Sequence, residues 1–486
     1  MMFASLRNTI LFLGLALSAV ACTSVPDNAP SPPETKAGDL PPDKDAGDPG
    51  AGDEQATASK PSADQAPSRV LFRNVHVFDG RSETRTENTH VLVEGNLIKA
   101  VSTELSPADD TTVIEGDGRT LMPGLADTHV HLAFATLPLP LMLNGLESYN
   151  YIYATVDAKS MLMRGVTAVR DMGGDTFGLK QAIDEGLVEG PRIYPAGAAI
   201  SQTAGHFDFR TPNQKHARFG GTPVPYVLQG HARIVDGVPE VLAAARENLR
   251  HGASHIKLAA GGGYASPADP LLGNQFTYEE IKAAVDTAAD WQTYVTIHSY
   301  HPTAINRAID AGVKDIGHGQ LLDEKTLRRM ADEGVFLSTQ PFTVCNEPQL
   351  DDFSNAKLAL VCKGTEFVYR TAKKIPKLKV TYGTDIFFSP TEVLDEQVRM
   401  MERLLKWYTP VEILKMATGN AGELFKLSGL RNPYPDGDLG VVAQGAYADL
   451  LLVDGNPLED LTAVTDSSNI RLIMKDGKIY KNSLSD

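Results

Sequence analysis

Between residues 125 and 390 the sequence switches repeatedly between two hydrophobic rhythms, and this alternation limits the fold more than any other feature. Short apolar runs read as buried strands: "GVTAVRDMGG", "PRIYPAG", "SHIKLAAGGG", "TYVTIHSY", "DIGHG", "GVFLSTQPF" and "KVTYGTDIFF". Between several of them lie stretches whose apolar residues recur every three or four positions, as on an amphipathic helix. "FGLKQAIDEGL", "VPEVLAAARENLRHG", "TYEEIKAAVDTAADW", "TAINRAIDAG" and "EKTLRRMADEG" are of this kind. Glycine closes several of them, as it commonly closes helices. Counting the strand around "THVH", there are about eight strand–helix units, the number a closed (β/α)8 TIM barrel needs. The predicted class is α/β, with helices outside a parallel sheet. A doubly wound open sheet is the alternative. No G-x-G-x-x-G opens a helix, and the glycine-rich "AAGGGYAS" lacks the Lys-Ser/Thr ending of a phosphate loop.

The two ends differ in style. "VLFRNVHVFDGRSETRTENTHVLVEGNLIKAV" alternates short strands with "DG" and "EGN" turns. "GVVAQGAYADLLLVDGNPLED" and "IRLIMKDGKIY" repeat that style near the C-terminus. The prediction is a small β-sandwich domain built from both ends, residues 69–119 and 431–486, beside a barrel at 120–430. A chain of 486 residues is long enough for both.

The first 22 residues, "MMFASLRNTILFLGLALSAVAC", have Arg7, an apolar run and small residues before Cys22, a signal-peptide pattern. The "AVAC" ending resembles a bacterial lipobox, with Ala19 where leucine is usual, and implies lipidation at Cys22. The apolar run is short for a membrane span. Residues 23–68 are rich in Pro, Asp, Ala and Gly and read as a disordered tether. Residue 23 is threonine, and the resemblance to lipoprotein sorting signals implies an outer-membrane lipoprotein facing the periplasm. The chain is 42% hydrophobic with a net charge of −16 and no basic stripe, which argues against a nucleic-acid partner. Export would allow Cys345 and Cys362 to pair, closing a short loop worth on the order of 3 kcal/mol. Two buried free thiols are the alternative.

"LADTHVHLAF" places His129 and His131 one residue apart in an apolar stretch. On a strand, such residues project from one face. Buried imidazoles need partners, and a metal ion is a natural one. Barrel active sites lie at the C-terminal ends of strands. Those ends here carry His129, His131, Lys257, His298, His318 and Asp385. Each has a bland reading: a hydrogen-bonded core histidine, a lysine paired with a buried carboxylate, an aspartate capping a helix. Their joint occurrence outweighs those readings.

The order of "HVH", the strand-end lysine, two later histidines and "GTD" resembles the amidohydrolase superfamily. The likeness covers residues 69 to 486. Within the superfamily the chain most resembles the imidazolonepropionase-like and Xaa-Pro dipeptidase (prolidase)-like enzymes, through "TAGHFDFR", "IKLAAGGG", "HSYHPTAINRAIDAGVKDIGHG" and "STQPF". Ala204 departs from the glycine common at its position. The resemblance implies two divalent metal ions, for which imidazole and carboxylate donors suit zinc. It implies His129, His131 and Asp385 on one ion and His298 and His318 on the other. Lys257, carboxylated by CO2, would bridge them. It also implies attack by a metal-bridged hydroxide, with Asp385 carrying the proton to the leaving nitrogen. His206 and Tyr300 match positions that contact the substrate near its carboxylate and carbonyl.

The function expected is hydrolysis of an amide bond in a dipeptide or N-acyl amino acid with a free carboxylate. A cyclic amide is an alternative substrate, and amide-linked toxins resembling ochratoxin fit the same chemistry. A non-catalytic solute-binding lipoprotein is the alternative from another class. Expected partners are a small-molecule amide, a membrane through the N-terminal lipid only, and a second copy of the chain.

Overall fold

The computed structural model describes residues 68–266, 268–347 and 350–484. The expected signal peptide, Cys22 and the tether up to residue 67 lie outside the described residues. The described chain opens with β1 (Arg69–Val77), β2 (Thr86–Glu94), β3 (Leu97–Ser102), β4 (Thr111–Glu115) and β5 (Thr120–Pro123). Period-two burial is clear in β2, where Thr89, Val91 and Val93 point inward. Gly95 takes a φ of 64° in the tight turn to β3.

Next come β6 (Leu125–Val130), β7 (Val166–Asp171), β8 (Arg192–Pro195), β9 (Ala199–Ser201), β10 (Ala232–Ile234) and β11 (Ile256–Ala259). They are followed by β12 (Val295–Ser299), β13 (Asp315–His318), β14 (Phe336–Thr339) and β15 (Val380–Tyr382). The chain returns through β16 (Leu450–Val453), β17 (Ile470–Lys475) and β18 (Lys478–Asn482).

Both chain ends enter one mixed eight-stranded sheet, in the order β18-β17-β16-β5-β1-β2-β3, with β4 also beside β1. Phe72, Val91, Ile98, Leu450 and Leu472 share its core. β5 pairs with β1 and β16, so the chain leaves this sheet at Pro123 rather than at the expected residue 119.

The middle of the chain is parallel throughout. β6-β7-β8 form one sheet, and β10-β9-β11-β12-β13-β14-β15 form another. Every residue of β6, β7, β11, β12, β13, β14 and β15 is buried, as parallel strands covered on both faces should be. β8 and β9 are separated by a short break at Gly197, whose φ is 73°. The outer strands β6 and β15 are tied by bonds from Thr128 Oγ1 to the Tyr382 carbonyl and from Asp385 N to the His129 carbonyl, both 2.8 Å.

Between the strands, helices start and stop where the sequence signals them. Thr277 and Glu280 form a capping box on the helix Tyr278–Asp290. Gly252, Gly312 and Gly334 end their helices in the left-handed conformation. Two long helices, Glu147–Met163 and Asp352–Ala372, escape a reading by periodicity. Their outer faces carry Ile152 and Val156, and Phe353, Leu360 and Phe367, so apolar residues mark both faces. Much of the segment expected as a disulfide-closed loop is therefore helix. Cys345 and Cys362 form the disulfide, with Cα atoms 5.7 Å apart. In the connection after Gly197, β9 and β10 pair in parallel. No helix among the described residues is long and apolar enough to cross a membrane.

Candidate active site

The polar residues predicted at strand ends meet above β6 and β11–β15. His129 Nε2 lies 3.3 Å and His131 Nε2 3.4 Å from the same oxygen of Asp385. His318 Nδ1 lies 3.7 Å from the other carboxylate oxygen. His298 Nδ1 and His318 Nε2 are 2.6 Å apart. His129, His318 and Asp385 offer ligand atoms within 4.8 Å of one another. The His318 ring stands between His298 and Asp385.

Backbone conformation aims two of these side chains. His318 ends β13 with a φ of 81°, and Asp385 follows β15 with a φ of 57°. Such angles are unfavourable for residues with a Cβ and gather at functional sites. Asp127 supports the same end. Its carboxylate accepts from His129 N (3.1 Å), Thr384 N (3.0 Å), Thr384 Oγ1 (2.6 Å) and Gln397 Nε2 (3.0 Å). Burial raises its pKa to about 6 despite these bonds.

Burial also dominates the electrostatics of the cluster. It holds His129, His298 and His318 well below the ordinary imidazole range, so they are neutral. The Lys257 charge adds to this for His129 and His318. Burial pushes Lys257 down to about 7. Lys257 Nζ and His129 Nε2 are buried with no hydrogen-bond partner among the described residues. Gly317 makes room for them. A Cβ there would lie 3.2 Å from His129 Cε1 and 3.4 Å from Lys257 Nζ.

His206 and Tyr300 complete the pocket. The His206 ring stacks on His298, with centroids 3.7 Å apart, and Tyr300 stacks on His318 at 4.9 Å. His206 Nδ1 lies 2.9 Å from Ser266 Oγ, whose hydroxyl is bonded to Asp269. Lys357 Nζ fastens this loop through the carbonyls of Gly263 (2.8 Å) and Ser266 (2.6 Å). Arg210 turns away to pair with Asp208, Nε to Oδ1 at 2.7 Å.

Sequence reasoning missed Gln340, Ser266, Asp269 and Lys357. Gln340 just after β14 lies 2.9 Å from His318 Nδ1 through Oε1 and 3.2 Å from His129 Nδ1 through Nε2. Its signal was its place: a polar residue at a strand end, inside "STQPF". The other three act through folded loops and carry no local signal.

Residues 120–480 match the sequence model of the amidohydrolase family. The chain belongs to that family. This amidohydrolase is similar to the ochratoxinase of Aspergillus niger, with 32% identity over 436 residues, covering 86% of this chain and 88% of the relative. It is also similar to a solved prolidase in complex with N-methylphosphonate-L-proline, with 33% identity and a TM-score of 0.78 over 85% of this chain and all of the prolidase. A further solved amidohydrolase has 34% identity and a TM-score of 0.77, covering 86% and 100% of the two chains. The protein is thus an enzyme of carbon–nitrogen bond hydrolysis.

Proposed function

We propose that this amidohydrolase is a binuclear metal enzyme that cleaves an amide bond in a dipeptide or N-acyl amino acid bearing a free carboxylate. The observation that carries this reading is the convergence of four imidazoles and Asp385 on a buried lysine whose Nζ has no hydrogen-bond partner among the described residues. Unpartnered buried polar atoms are costly, and the donor set fits divalent cations. His129, His131 and Asp385 would hold one ion, His298 and His318 the other, with Lys257 between them. His318 Nδ1 also lies near Asp385, so it stands close to both groups.

When bound, two such ions supply Lewis acidity toward a carbonyl and lower the pKa of water. The chain supplies the rest. Lys257, with its pKa near 7, has an accessible neutral amine, the form that adds CO2. Its nitrogen bonds to the carbon and releases a proton, replacing a repelling cation by an anionic ligand. Asp385 Oδ1, between His129 and His131, can take a proton and pass it to the leaving nitrogen. Tyr300 presents a hydroxyl that burial holds well above its ordinary pKa, so it remains a donor. Burial holds the His206 ring well below the ordinary imidazole pKa, so it is neutral. The Ser266 hydroxyl 2.9 Å from Nδ1 orients it, and a neutral ring still has one N–H to offer a substrate carboxylate.

The likeness to a prolidase holding a proline analogue and to an ochratoxinase supports this substrate class. We expect about two divalent ions per chain, consistent with a two-metal site, and loss of activity on chelation. Lys257→Ala should lose metal and activity together, with partial rescue by short carboxylates. Wild-type metal content and turnover in that variant would overturn the reading.

Three further proposals accompany it. The two parallel sheets make one closed (β/α)8 barrel; Arg170 supports this, reaching from β7 to the Thr128 carbonyl (2.7 Å), Ser338 (2.9 Å) and Asp315 (2.8 Å). The terminal sheet folds over as the β-sandwich. The protein is exported and anchored through Cys22, and mass spectrometry of the mature N-terminus tests this.

A further inference from the structure

We propose that a second, larger cavity beside the catalytic pocket is a substrate subsite for a bulky aromatic acyl group; this rests on the amide-hydrolase reading and names its substrate class. The catalytic pocket is small, with about 440 Å³ of empty space lined by Lys257, His206, His298, His318, Tyr300 and Asp385 among others. The neighbouring chamber is partly open to solvent; it spans about 1380 Å³ with that open part included, and meets carbon on most of its wall, including Leu139, Pro341, Phe342, Val344 and Met400. Asp385 lies on both walls, and Phe209, Tyr264, Phe387 and Phe388 form the partition.

A substrate with its scissile bond at Asp385 must therefore divide between two spaces of unlike size. Its carboxylate half belongs with His206 and Tyr300 in the smaller pocket. Its acyl half faces the chamber. The partition suits a planar ring. Tyr264 and Phe342 meet edge to face at 5.5 Å and 80°, and Phe387 and Phe388 at 5.5 Å and 90°. An acetyl group would leave most of the chamber wet, whereas a fused aromatic group would displace that water and bury apolar surface.

The disulfide holds this wall in place. Val344, on the wall, precedes Cys345, and Cys345 is bonded to Cys362 in the helix Asp352–Ala372. Leu358 and Val361 of that helix share a cluster with Tyr264, Tyr300, Phe342 and Phe387. The shape of the subsite is thus tied to an oxidised cysteine pair.

The test compares N-acetyl and N-(2-naphthoyl) derivatives of one L-amino acid with the zinc-loaded enzyme. We expect kcat/KM to be at least about tenfold higher for the naphthoyl compound, the scale of apolar pocket discrimination. Val344→Trp should narrow the chamber and lower that ratio, and Cys345→Ser with Cys362→Ser should lower it as well. A ratio does not depend on the folded fraction, so poor folding of either variant does not obscure it. Equal or preferential cleavage of the acetyl compound by the wild type would overturn the subsite. Cleavage of neither would overturn the amide-hydrolase reading, and the subsite with it.

Discussion

Ala204, His318 and Asp385 share a left-handed backbone conformation, with φ values of 55°, 81° and 57°. For His318 and Asp385 the conformation aims a donor into the site. The Ala204 methyl has no such role; its amide N–H donates to Asp208 at 2.8 Å, which glycine would also do. The left-handed region costs a residue with a Cβ about 1–2 kcal/mol. Glycine gains unfolded-state entropy worth about 0.4–1 kcal/mol in the opposite sense. Ala204→Gly should therefore stabilise the protein by roughly 0.5–1 kcal/mol, read as a higher urea midpoint. An unchanged or lower midpoint would mean the loop relaxes freely around alanine. Gly317 is the reverse case. Its missing Cβ leaves space beside Lys257 Nζ and His129, so Gly317→Ala should crowd the proposed metal ligands. We expect a fall in kcat of about tenfold or more with reduced metal content, since small misplacements at reacting groups are costly. Full occupancy and turnover would show that the neighbours yield.

At the scale of elements, the site depends on how β6 and β15 are held together. Asp127 does this through four accepted hydrogen bonds, three of them from residues 384 and 397. Asparagine keeps one acceptor oxygen and puts an NH2 group where donors already point. Asp127→Asn should cost roughly 2 kcal/mol of stability, the usual penalty for unpaired buried donors. It should also lower kcat more than it changes KM, because Asp385 moves with Thr384. Denaturant melts beside steady-state kinetics check both parts, and a wild-type kcat would show that Asp385 is positioned independently. The strands themselves were legible as apolar runs with polar ends, and the donors stood at those ends. The helices Glu147–Met163 and Asp352–Ala372 were not legible, because exposed residues such as Ile152 and Leu360 hide the polar face.

The whole molecule responds to pH through its buried groups. His129, His206, His255, His298 and His318 sit well below the ordinary imidazole pKa, and His231 falls to about 4, all mainly through burial. Below about pH 6.5 the unfolded chain binds protons on these rings that the folded chain does not. Their contribution to stability is therefore present above that value and is lost as the pH falls. Asp127 and Asp171, raised by burial to about 6 and about 7, act in the opposite sense from there down to about pH 4. The histidines outnumber them. The metal-free protein should lose thermal stability between pH 7 and pH 5, followed by differential scanning calorimetry. A rising melting temperature over that range would mean that the carboxylates dominate.

Sequence alone determined most of the strands and several helices, and the polar residues that gather at the candidate site. Both are written in local pattern: period and punctuation for strands and helices, residue type and place for His129, His131, Lys257, His298, His318 and Asp385. Tertiary structure decided which donors share which neighbours. His318 faces Asp385 as well as His298, and Gln340 lies beside both His318 and His129. It also decided that Asp269 backs His206 through Ser266, and that a wide apolar chamber opens beside Asp385. These are relations between residues far apart in the chain. They arise only when parallel strands bring their ends together, and no local period in the sequence records that meeting.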